Sequence, residues 1–258
     1  MIPKILHYCW FGRGQMNDII LKCVESWKKY CPDYELVLWS EDSFDVHANP
    51  FVQEAYEEKK WAFVSDYVRL YALYHQGGVY VDTDVEILRP LDNLLDLGGV
   101  VTGYQDGYSI PAGIILAEPK NPWIEKLLSY YDGRHFRMED GSLDITTNSD
   151  IITAQSINEC GFQIGGKHIA LGNVLLLDSV YFAPPFKVKN PIHKESDEFL
   201  IDPDKTYTIH YGTGTWVHKG LSFRCRMSTV RLARMILTDR VYIKIKTAIK
   251  KRDLENIT

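Results

Sequence analysis

Apolar positions along the chain repeat in some stretches at the spacing of an amphipathic helix and in others as the short runs of a buried strand. Helical spacing, with capping and terminating residues, predicts helices at residues 17–31, 49–60, 61–76, 122–131 and 150–160. Apolar runs predict strands at residues 4–11, 34–39, 79–87, 100–104, 113–117, 173–177 and 207–211. Strands that alternate with helices indicate an α/β fold with a mostly parallel central sheet.

The run GGVYVDTDVEI, residues 77–87, carries two carboxylates where a buried strand would end. An unpaired buried charge is costly, so Asp82 and Asp84 need a partner. Because side chains two residues apart share one face of a strand, the pair converges if the strand stays regular and splays if it bends. Carboxylate oxygen suits Mg²⁺ and Mn²⁺, which makes the pair a candidate metal site. The alternative is two surface aspartates in a turn.

The predicted helix at residues 61–76 contains the run SDYVRL, in which Asp66 and Arg69 share one face. These two residues are candidates to hold a ribose or sugar hydroxyl and a phosphate. The alternative is an ordinary surface ion pair, worth ~0.3–0.5 kcal/mol. Four aromatic residues on the same helix favour burial of the pair: Phe63, Tyr67, Tyr71 and Tyr74.

The run YTIHYGTGTW, residues 207–216, places His210 after a predicted strand and before two glycines. A neutral imidazole is a candidate metal ligand, and glycine-rich backbone can approach phosphate closely. The alternative is a core histidine that precedes a loop. Trp10, which ends the first predicted strand, either stacks on a base or fills the core.

Charge is distributed unevenly along the 258 residues. Residues 1–223 carry 19 Lys and Arg against 31 Asp and Glu, whereas residues 224–258 carry ten against three. We therefore expect one domain over residues 1–223 and a basic tail over residues 224–258. The acidic domain argues against nucleic-acid binding. No apolar stretch approaches the length of a membrane span, and five cysteines without a C-x-x-C pair fit a reducing cytoplasm.

The tail has an apolar stripe at helical spacing, flanked by arginine and lysine. Such an amphipathic helix can lie on an anionic membrane surface through residues 224–252, which would make the protein peripheral on the inner face of the cell membrane. The alternative is that the stripe packs on the domain or on a second subunit.

Four motifs in order, IPKILHYCWFG, SWKKYCPDYELVLW, WAFVSDYVRLYALYHQGGVYVDTDVEIL and IHYGTGTW, resemble bacterial glycosyltransferase family 32. More distantly, they resemble the glucosylating clostridial toxins. The resemblance implies a GT-A type, Rossmann-like domain that binds a nucleotide-sugar with Mn²⁺ or Mg²⁺. It also implies retaining transfer to a hydroxyl of a glycan or lipid-linked glycan in surface polysaccharide synthesis. The toxins favour a UDP-sugar, although the family includes users of GDP-mannose.

The resemblance also implies roles for individual residues. Asp82 and Asp84 match the D-x-D, with Asp84 the firmer metal ligand, and they join Arg69 as the catalytic candidates. The candidate metal ligands are Asp82, Asp84 and His210. The residues expected to contact the nucleotide-sugar are Trp10, Ser65, Asp66, Arg69, Asp82, Thr215 and Trp216. Thr215 stands where the family usually has serine.

The segment TTNSDIIT, residues 146–153, is a further candidate and would offer Asn148 or Asp150 to the donor sugar or the acceptor. No residue is a clear enzymic nucleophile, so front-face attack by the acceptor hydroxyl is the expected route.

Two other functions are compatible with the sequence. One is a haloacid-dehalogenase-like phosphatase, which also carries D-x-D after a strand. That family has threonine or valine two residues after the second aspartate, where this chain has Glu86. The other is a non-catalytic nucleotide-sugar-binding protein.

Overall fold

The structure of the chain is a computed structural model. It describes residues 1–104, 109–160, 169–171, 173–184, 186–187 and 198–213. The predicted tail helix and two predicted site residues, Thr215 and Trp216, lie outside these ranges. Among the described residues, no helix combines the length and the apolar character needed to cross a membrane.

The helices and strands alternate along most of the chain. The helices are α1 (Asp18–Tyr30), α2 (Pro50–Glu57), α3 (Trp61–Gln76), α4 (Asp92–Leu95), α5 (Pro122–Ser129), α6 (Asn148–Cys160) and α7 (Ser179–Phe182). The strands are β1 (Ile5–Cys9), β2 (Glu35–Trp39), β3 (Gly78–Val81), β4 (Val85–Ile87), β5 (Val100–Gly103), β6 (Ile114–Ala117), β7 (Ile169–Leu171), β8 (Val174–Leu177), β9 (Phe186–Lys187), β10 (Glu198–Phe199) and β11 (Thr208–His210).

Seven strands form one central sheet in the order β2-β1-β3-β6-β5-β8-β7. The pairs β1–β2, β1–β3 and β5–β8 are parallel, whereas β6 and β7 run antiparallel to their neighbours. Five of the seven strands therefore point the same way. The predicted α/β fold with a mostly parallel central sheet is confirmed.

Both faces of the central strand β3 are buried. Val79 and Val81 pack with Trp27 of α1 in one apolar cluster, whereas Tyr80 packs with Leu70 of α3 in another. Alternate residues of a strand point to opposite faces, so α1 and α3 cover the two sides of the sheet. A strand enclosed in this way is held firmly where it reaches its carboxyl end.

The predicted starts of α1 and α2 agree with the structure because local capping chemistry fixes them, whereas α2 ends three residues before its predicted end and α6 begins two residues before its predicted start. The Asn17 side chain accepts a hydrogen bond from the backbone of Ile20, and Asn49 caps α2 just before Pro50. Helix α3 occupies the predicted residues, Trp61–Gln76, and a glycine pair ends it. At Gly78, with φ of +100°, a Cβ atom would lie 2.5 Å from the Ile5 carbonyl oxygen. Only glycine fits this turn into β3.

The prediction of a single strand over residues 79–87 is wrong. The chain bends at Asp82–Asp84, where the Val85 amide donates to the Asp82 carbonyl oxygen over 3.0 Å. After the bend, Trp27 Nε1 donates to the Val85 carbonyl oxygen over 2.8 Å and so binds β4 to α1. Strand β4 leaves the central sheet and pairs antiparallel with β11. Apolar periodicity cannot show this change of sheet, because both halves of the run are buried.

His7 is a fully buried imidazole in the core strand β1. Its Nδ1 accepts from Trp39 Nε1 over 3.1 Å, which makes Nε2 the protonated nitrogen that donates to the Gly77 carbonyl oxygen over 2.8 Å. Burial lowers the pKa of His7 from 6.5 to about 4, because a charge there would lose its hydration. The fold therefore needs His7 neutral.

We predict that His7 makes the protein sensitive to acid. Because the folded pKa is depressed, this contribution to the free energy of unfolding is complete above pH 6.5 and is lost toward pH 4, by about 3 kcal/mol. In His7→Gln the free energy of unfolding, from urea titrations at several pH values, should fall less steeply over this range. His47→Gln, at an exposed position, is the control. Equal slopes in His7→Gln and wild type would contradict the assignment.

Candidate metal centre and functional site

Two carboxylates and one imidazole converge where β3 and β11 end. His210 Nε2 lies 3.1 Å from Asp84 Oδ1 and 4.0 Å from Asp82 Oδ2. One ligand atom from each of the three residues lies within 4.8 Å of the other two. The two carboxylates therefore approach one point although the chain bends between them. Strand β11 brings the His210 imidazole to the same point.

The protein holds one oxygen of Asp82 and leaves the other facing His210. Tyr80 donates its hydroxyl to Asp82 Oδ1 over 2.9 Å, and Arg69 Nη1 lies 3.3 Å from the same oxygen. The Arg69 guanidinium also lies 4.7 Å from the centre of the Tyr80 ring. Oδ2 is the oxygen on the His210 side.

Asp84 is held in a corresponding way. Its Oδ2 accepts from the Thr213 backbone N–H over 2.8 Å and from the Thr213 hydroxyl over 2.9 Å, whereas Oδ1 faces His210. Burial opposes ionisation, but the hydrogen bonds from His210 and Thr213 outweigh it and hold the pKa of Asp84 well below its ordinary value. Asp84 is thus a carboxylate at neutral pH.

The Asp66–Arg69 pair is buried, and the alternative of a surface ion pair is wrong. Arg69 Nη2 lies 2.8 Å from Asp66 Oδ1, and the two residues are only 5% and 8% exposed, respectively. Arg69 Nη1 also donates to the Ala112 carbonyl oxygen over 2.8 Å. Burial raises the pKa of Asp66 to about 6, against the opposing charge of Arg69. The guanidinium lies between the Asp66 and Asp82 carboxylates and joins α3 to the metal centre.

The first residue of α6 reaches the same site. The backbone N–H of Asn148 donates to the Asp66 carboxylate, and its Nδ2 donates to the Tyr131 hydroxyl over 3.0 Å. Asn148 is 2% exposed, and within the described part of the chain its Oδ1 accepts no hydrogen bond. A buried amide oxygen without a donor is poised to accept one from a ligand hydroxyl. Asp150 instead accepts from the Thr147 hydroxyl over 2.7 Å at the start of α6.

In the part of the chain that the structure describes, the side chains of Trp10 and Ser65 donate to backbone carbonyl oxygens and not to the carboxylates of this centre. Trp10 follows β1, is half-buried, and donates Nε1 to the Gly14 carbonyl oxygen over 2.7 Å. The Ser65 hydroxyl donates to the Trp61 carbonyl oxygen, and the Ser65 carbonyl oxygen accepts from Arg69 Nε over 3.2 Å. The expected contacts of Trp10 and Ser65 with a nucleotide-sugar stay predictions.

Three residues that shape the site were missed in the sequence. Tyr80 orients Asp82, Thr213 orients Asp84, and Gly113 lies against His210. The Gly113 carbonyl oxygen accepts from the Asp82 amide over 2.8 Å, and a Cβ atom there would lie 2.9 Å from the His210 ring. A signal existed for Tyr80, because its hydroxyl is a polar group within the apolar run before Asp82. Thr213 lies inside the motif YTIHYGTGTW, residues 207–216. The proximity of Gly113 to His210 leaves no local signal.

The three ligand atoms fit a divalent cation. Carboxylate oxygens suit Mn²⁺ or Mg²⁺, and a neutral imidazole nitrogen is a common metal ligand. Asp82, Asp84 and His210 would hold it, and the remaining coordination positions would be left to water or substrate oxygens. A chain with these residues has a candidate metal centre at the carboxyl end of a mostly parallel sheet, where ligands gather in such folds.

Residues 18–98 match the family model described as a glycosyltransferase sugar-binding region containing a DXD motif. The matched segment contains Asp66, Arg69, Asp82 and Asp84. The resemblance to D-x-D sugar transferases is therefore confirmed for this segment. His210 and Asn148, which complete the site, lie beyond it.

Several curated proteins are similar to the chain over part of its length. Inositol phosphoceramide mannosyltransferase 3 of Schizosaccharomyces pombe is 38% identical over 102 residues, which are 36% of this chain and 27% of that protein. Mannosyl phosphorylinositol ceramide synthase SUR1 of Saccharomyces cerevisiae is 33% identical over 37% of this chain and 26% of its own. Uncharacterized glycosyltransferase L373 of Acanthamoeba polyphaga mimivirus is 24% identical over 71% of this chain and 74% of its own.

The chain thus spans about a quarter to a half of the length of the yeast relatives that it matches. Among solved structures, PaToxG Glycosyltransferase is similar with a TM-score of 0.46 and 20% identity, over 62% of this chain and 70% of that one. The galactosyltransferase LgtC gives a TM-score of 0.37 and 14% identity, over 68% and 74%. The bacterial and capsular type expected from the sequence stays a prediction.

We predict that Gly113→Ala weakens metal binding. The added methyl group would lie 2.9 Å from the His210 ring and 3.3 Å from Asp82 Oδ2, so the imidazole must shift away from the carboxylates. Mn²⁺ affinity, measured from free Mn²⁺ by electron paramagnetic resonance, should fall at least ~10-fold. Gly14→Ala is the matched control, because its Cβ meets nothing within 4 Å. Equal affinities for Gly113→Ala and Gly14→Ala would show that His210 is not a ligand.

Proposed function

We propose that the chain is a metal-dependent glycosyltransferase that takes a sugar from a nucleoside diphosphate sugar. The observation that carries the proposal is the convergence of Asp82, Asp84 and His210 beside the buried Asp66–Arg69 pair. The match of residues 18–98 to a glycosyltransferase sugar-binding region supports it. The cation would be Mn²⁺ or Mg²⁺.

A divalent cation held by Asp82, Asp84 and His210 would neutralise the charge that grows on the diphosphate leaving group. The chain itself supplies fixed positions for the other groups. Arg69, charged and buried, forms ion pairs with both Asp66 and Asp82 and so holds the two side chains next to each other. Asp66 and the unpaired Oδ1 of Asn148 are acceptors for hydroxyl groups of the donor sugar. In this proposal the diphosphate would lie near Asp84 and the sugar near Asp66.

Retention of configuration follows from the same arrangement in the proposal. No described side chain at the site is an obvious nucleophile. Burial raises the pKa of the nearby Cys9 thiol to about 12, so the thiol is not ionised at neutral pH. The carboxylates of Asp66, Asp82 and Asp84 are paired with Arg69 or belong to the candidate metal centre. The acceptor hydroxyl would attack from the face that the diphosphate leaves. As the bond from the sugar to the phosphate oxygen breaks, that oxygen takes the proton of the hydroxyl.

The donor and acceptor are proposed at the level of class. The sequence resemblance favours a UDP-sugar, whereas the yeast relatives are named mannosyltransferases, which supports a hexose donor without fixing the base. The acceptor would be a hydroxyl of a glycan or a lipid-linked glycan, and the relatives named for inositol phosphoceramide support a lipid-borne acceptor. Surface polysaccharide synthesis, a cytoplasmic location and contact of residues 224–252 with an anionic membrane complete the proposal.

We predict that Asp84→Asn abolishes transfer. Purified protein with Mn²⁺ is incubated with UDP-glucose, UDP-galactose or GDP-mannose, and release of the nucleoside diphosphate is measured with and without acceptor glycans. Loss of the Asp84 charge should lower release at least ~100-fold, or about 2.7 kcal/mol in transition-state stabilisation. Asp18→Asn, an exposed carboxylate on α1, is the matched control.

The same assay separates the other functions. Release of inorganic phosphate from a sugar phosphate would favour the phosphatase. Mn²⁺-dependent binding of a nucleotide-sugar with no turnover for any donor and acceptor would favour a non-catalytic binding protein. Turnover that Asp84→Asn leaves unchanged would contradict the proposed site.

A further inference from the structure

We propose that Thr213 is a positioning residue that makes Asp84 bind the cation through one oxygen and thereby sets which cation the site prefers. This inference rests on the proposed metal-dependent function. The observation behind it is that both donors of Thr213, its backbone N–H and its hydroxyl, are directed at the same oxygen, Asp84 Oδ2, over 2.8 and 2.9 Å.

The segment that carries Thr213 is held in place by Tyr211, which makes hydrogen bonds through its backbone amide and its hydroxyl. The Tyr211 amide donates to the Asp84 carbonyl oxygen over 3.0 Å. The Tyr211 hydroxyl contacts Glu86 Oε2 over 2.5 Å, and Lys22 Nζ lies 2.9 Å from that oxygen and 2.8 Å from the Tyr211 hydroxyl. Thr213 therefore lies in a segment that is hydrogen-bonded to the Asp84 backbone and to the side chains of Glu86 and Lys22.

Gly212 directs the chain from this anchor back to the carboxylate. Its φ of +57° lies in the left-handed region, where residues with a Cβ are strained. That turn aims the next N–H at Asp84, so both donors of Thr213 reach one oxygen.

The two hydrogen bonds from Thr213 give the two Asp84 oxygens different roles. Oδ2 is occupied by protein donors, whereas Oδ1 faces His210. Asp82 has the same division, with Tyr80 and Arg69 at Oδ1 and the His210 side left to Oδ2. Each carboxylate thus offers a single oxygen to the common point.

A site in which each carboxylate coordinates through a single oxygen discriminates among cations. Mg²⁺, and Mn²⁺ in sites of the same kind, take oxygen ligands in a small octahedral shell, whereas Ca²⁺ takes six to eight oxygens and accepts bidentate carboxylates. Loss of the hydroxyl bond, one of the two that Asp84 Oδ2 accepts, would leave a lone pair of that oxygen for a cation, so that the carboxylate could bind through both oxygens. Removing the Thr213 hydroxyl should therefore weaken Mn²⁺ binding and improve Ca²⁺ binding relative to it.

The test compares Thr213→Val, Thr213→Ser and wild type. Valine keeps the shape and the backbone N–H but removes the hydroxyl donor, whereas serine restores that donor. Thr208→Val is the control: it removes another hydroxyl of β11, which donates to the Phe182 carbonyl oxygen, away from Asp84. Mn²⁺ affinity is measured by electron paramagnetic resonance without any nucleotide, and Ca²⁺ affinity by competition against bound Mn²⁺.

We expect the Mn²⁺ dissociation constant of Thr213→Val to rise about 10-fold, as is usual when a residue that orients a metal ligand is lost. The Ca²⁺ affinity relative to Mn²⁺ should rise at least ~3-fold, because bidentate binding becomes accessible. Thr213→Ser should return both quantities to wild-type values. Thr208→Val should lower the melting temperature and leave both quantities unchanged.

Other outcomes overturn the inference in distinguishable ways. Thr213→Val with wild-type Mn²⁺ affinity and wild-type cation preference would show that Thr213 does not position Asp84, while the proposed transferase stands. A loss of affinity with no change in preference, shared by Thr208→Val, would reduce Thr213 to a structural contact. Wild-type protein that binds no Mn²⁺ would overturn the metal centre and this inference together.

Discussion

The rest of the site depends on the balance of charge at the end of β3. Three carboxylates, Asp66, Asp82 and Asp84, meet there, and one buried guanidinium, Arg69, lies between two of them. With His210 neutral, the formal charges of these three aspartates and one arginine sum to −2, which a single divalent cation would neutralise. Burial opposes a charged His210, but Asp84 outweighs it and raises the pKa of the imidazole, so a proton there is a partial substitute for that cation.

The fold holds this charge cluster in place by enclosing β3. Helices α1 and α3 cover the two faces of the sheet, and the turn at Gly78 admits no side chain. Tyr80 shows how packing and chemistry combine: its ring is in the core, and its hydroxyl orients Asp82. Beyond the bend, β4 and β11 form a separate two-stranded ribbon that brings His210 and Thr213 to Asp84. The core sheet thus supplies one half of the centre and the ribbon supplies the other.

The sequence predicted the parts of this arrangement that local chemistry determines. Asparagine caps, Pro50 and the glycines after Gln76 define helix ends, and the aromatic residues of α3 correctly indicated that Asp66 and Arg69 are buried. The bend after β3 was missed because apolar periodicity is the same for two short strands as for one long strand. Gly113 was missed because its role arises from contact with His210, almost a hundred positions along the chain, and only the fold brings them together.

The proposed metal centre consists of one divalent cation held by Asp82, Asp84 and His210. Pulsed electron paramagnetic resonance of bound Mn²⁺ detects the nuclei of the ligands and therefore tests this centre without intermediate steps. We expect one Mn²⁺ per chain with nitrogen coupling from a single imidazole, lost in His210→Gln, and with phosphorus coupling once a nucleoside diphosphate is added. Bound Mn²⁺ without nitrogen coupling, or coupling that survives in His210→Gln, would contradict it.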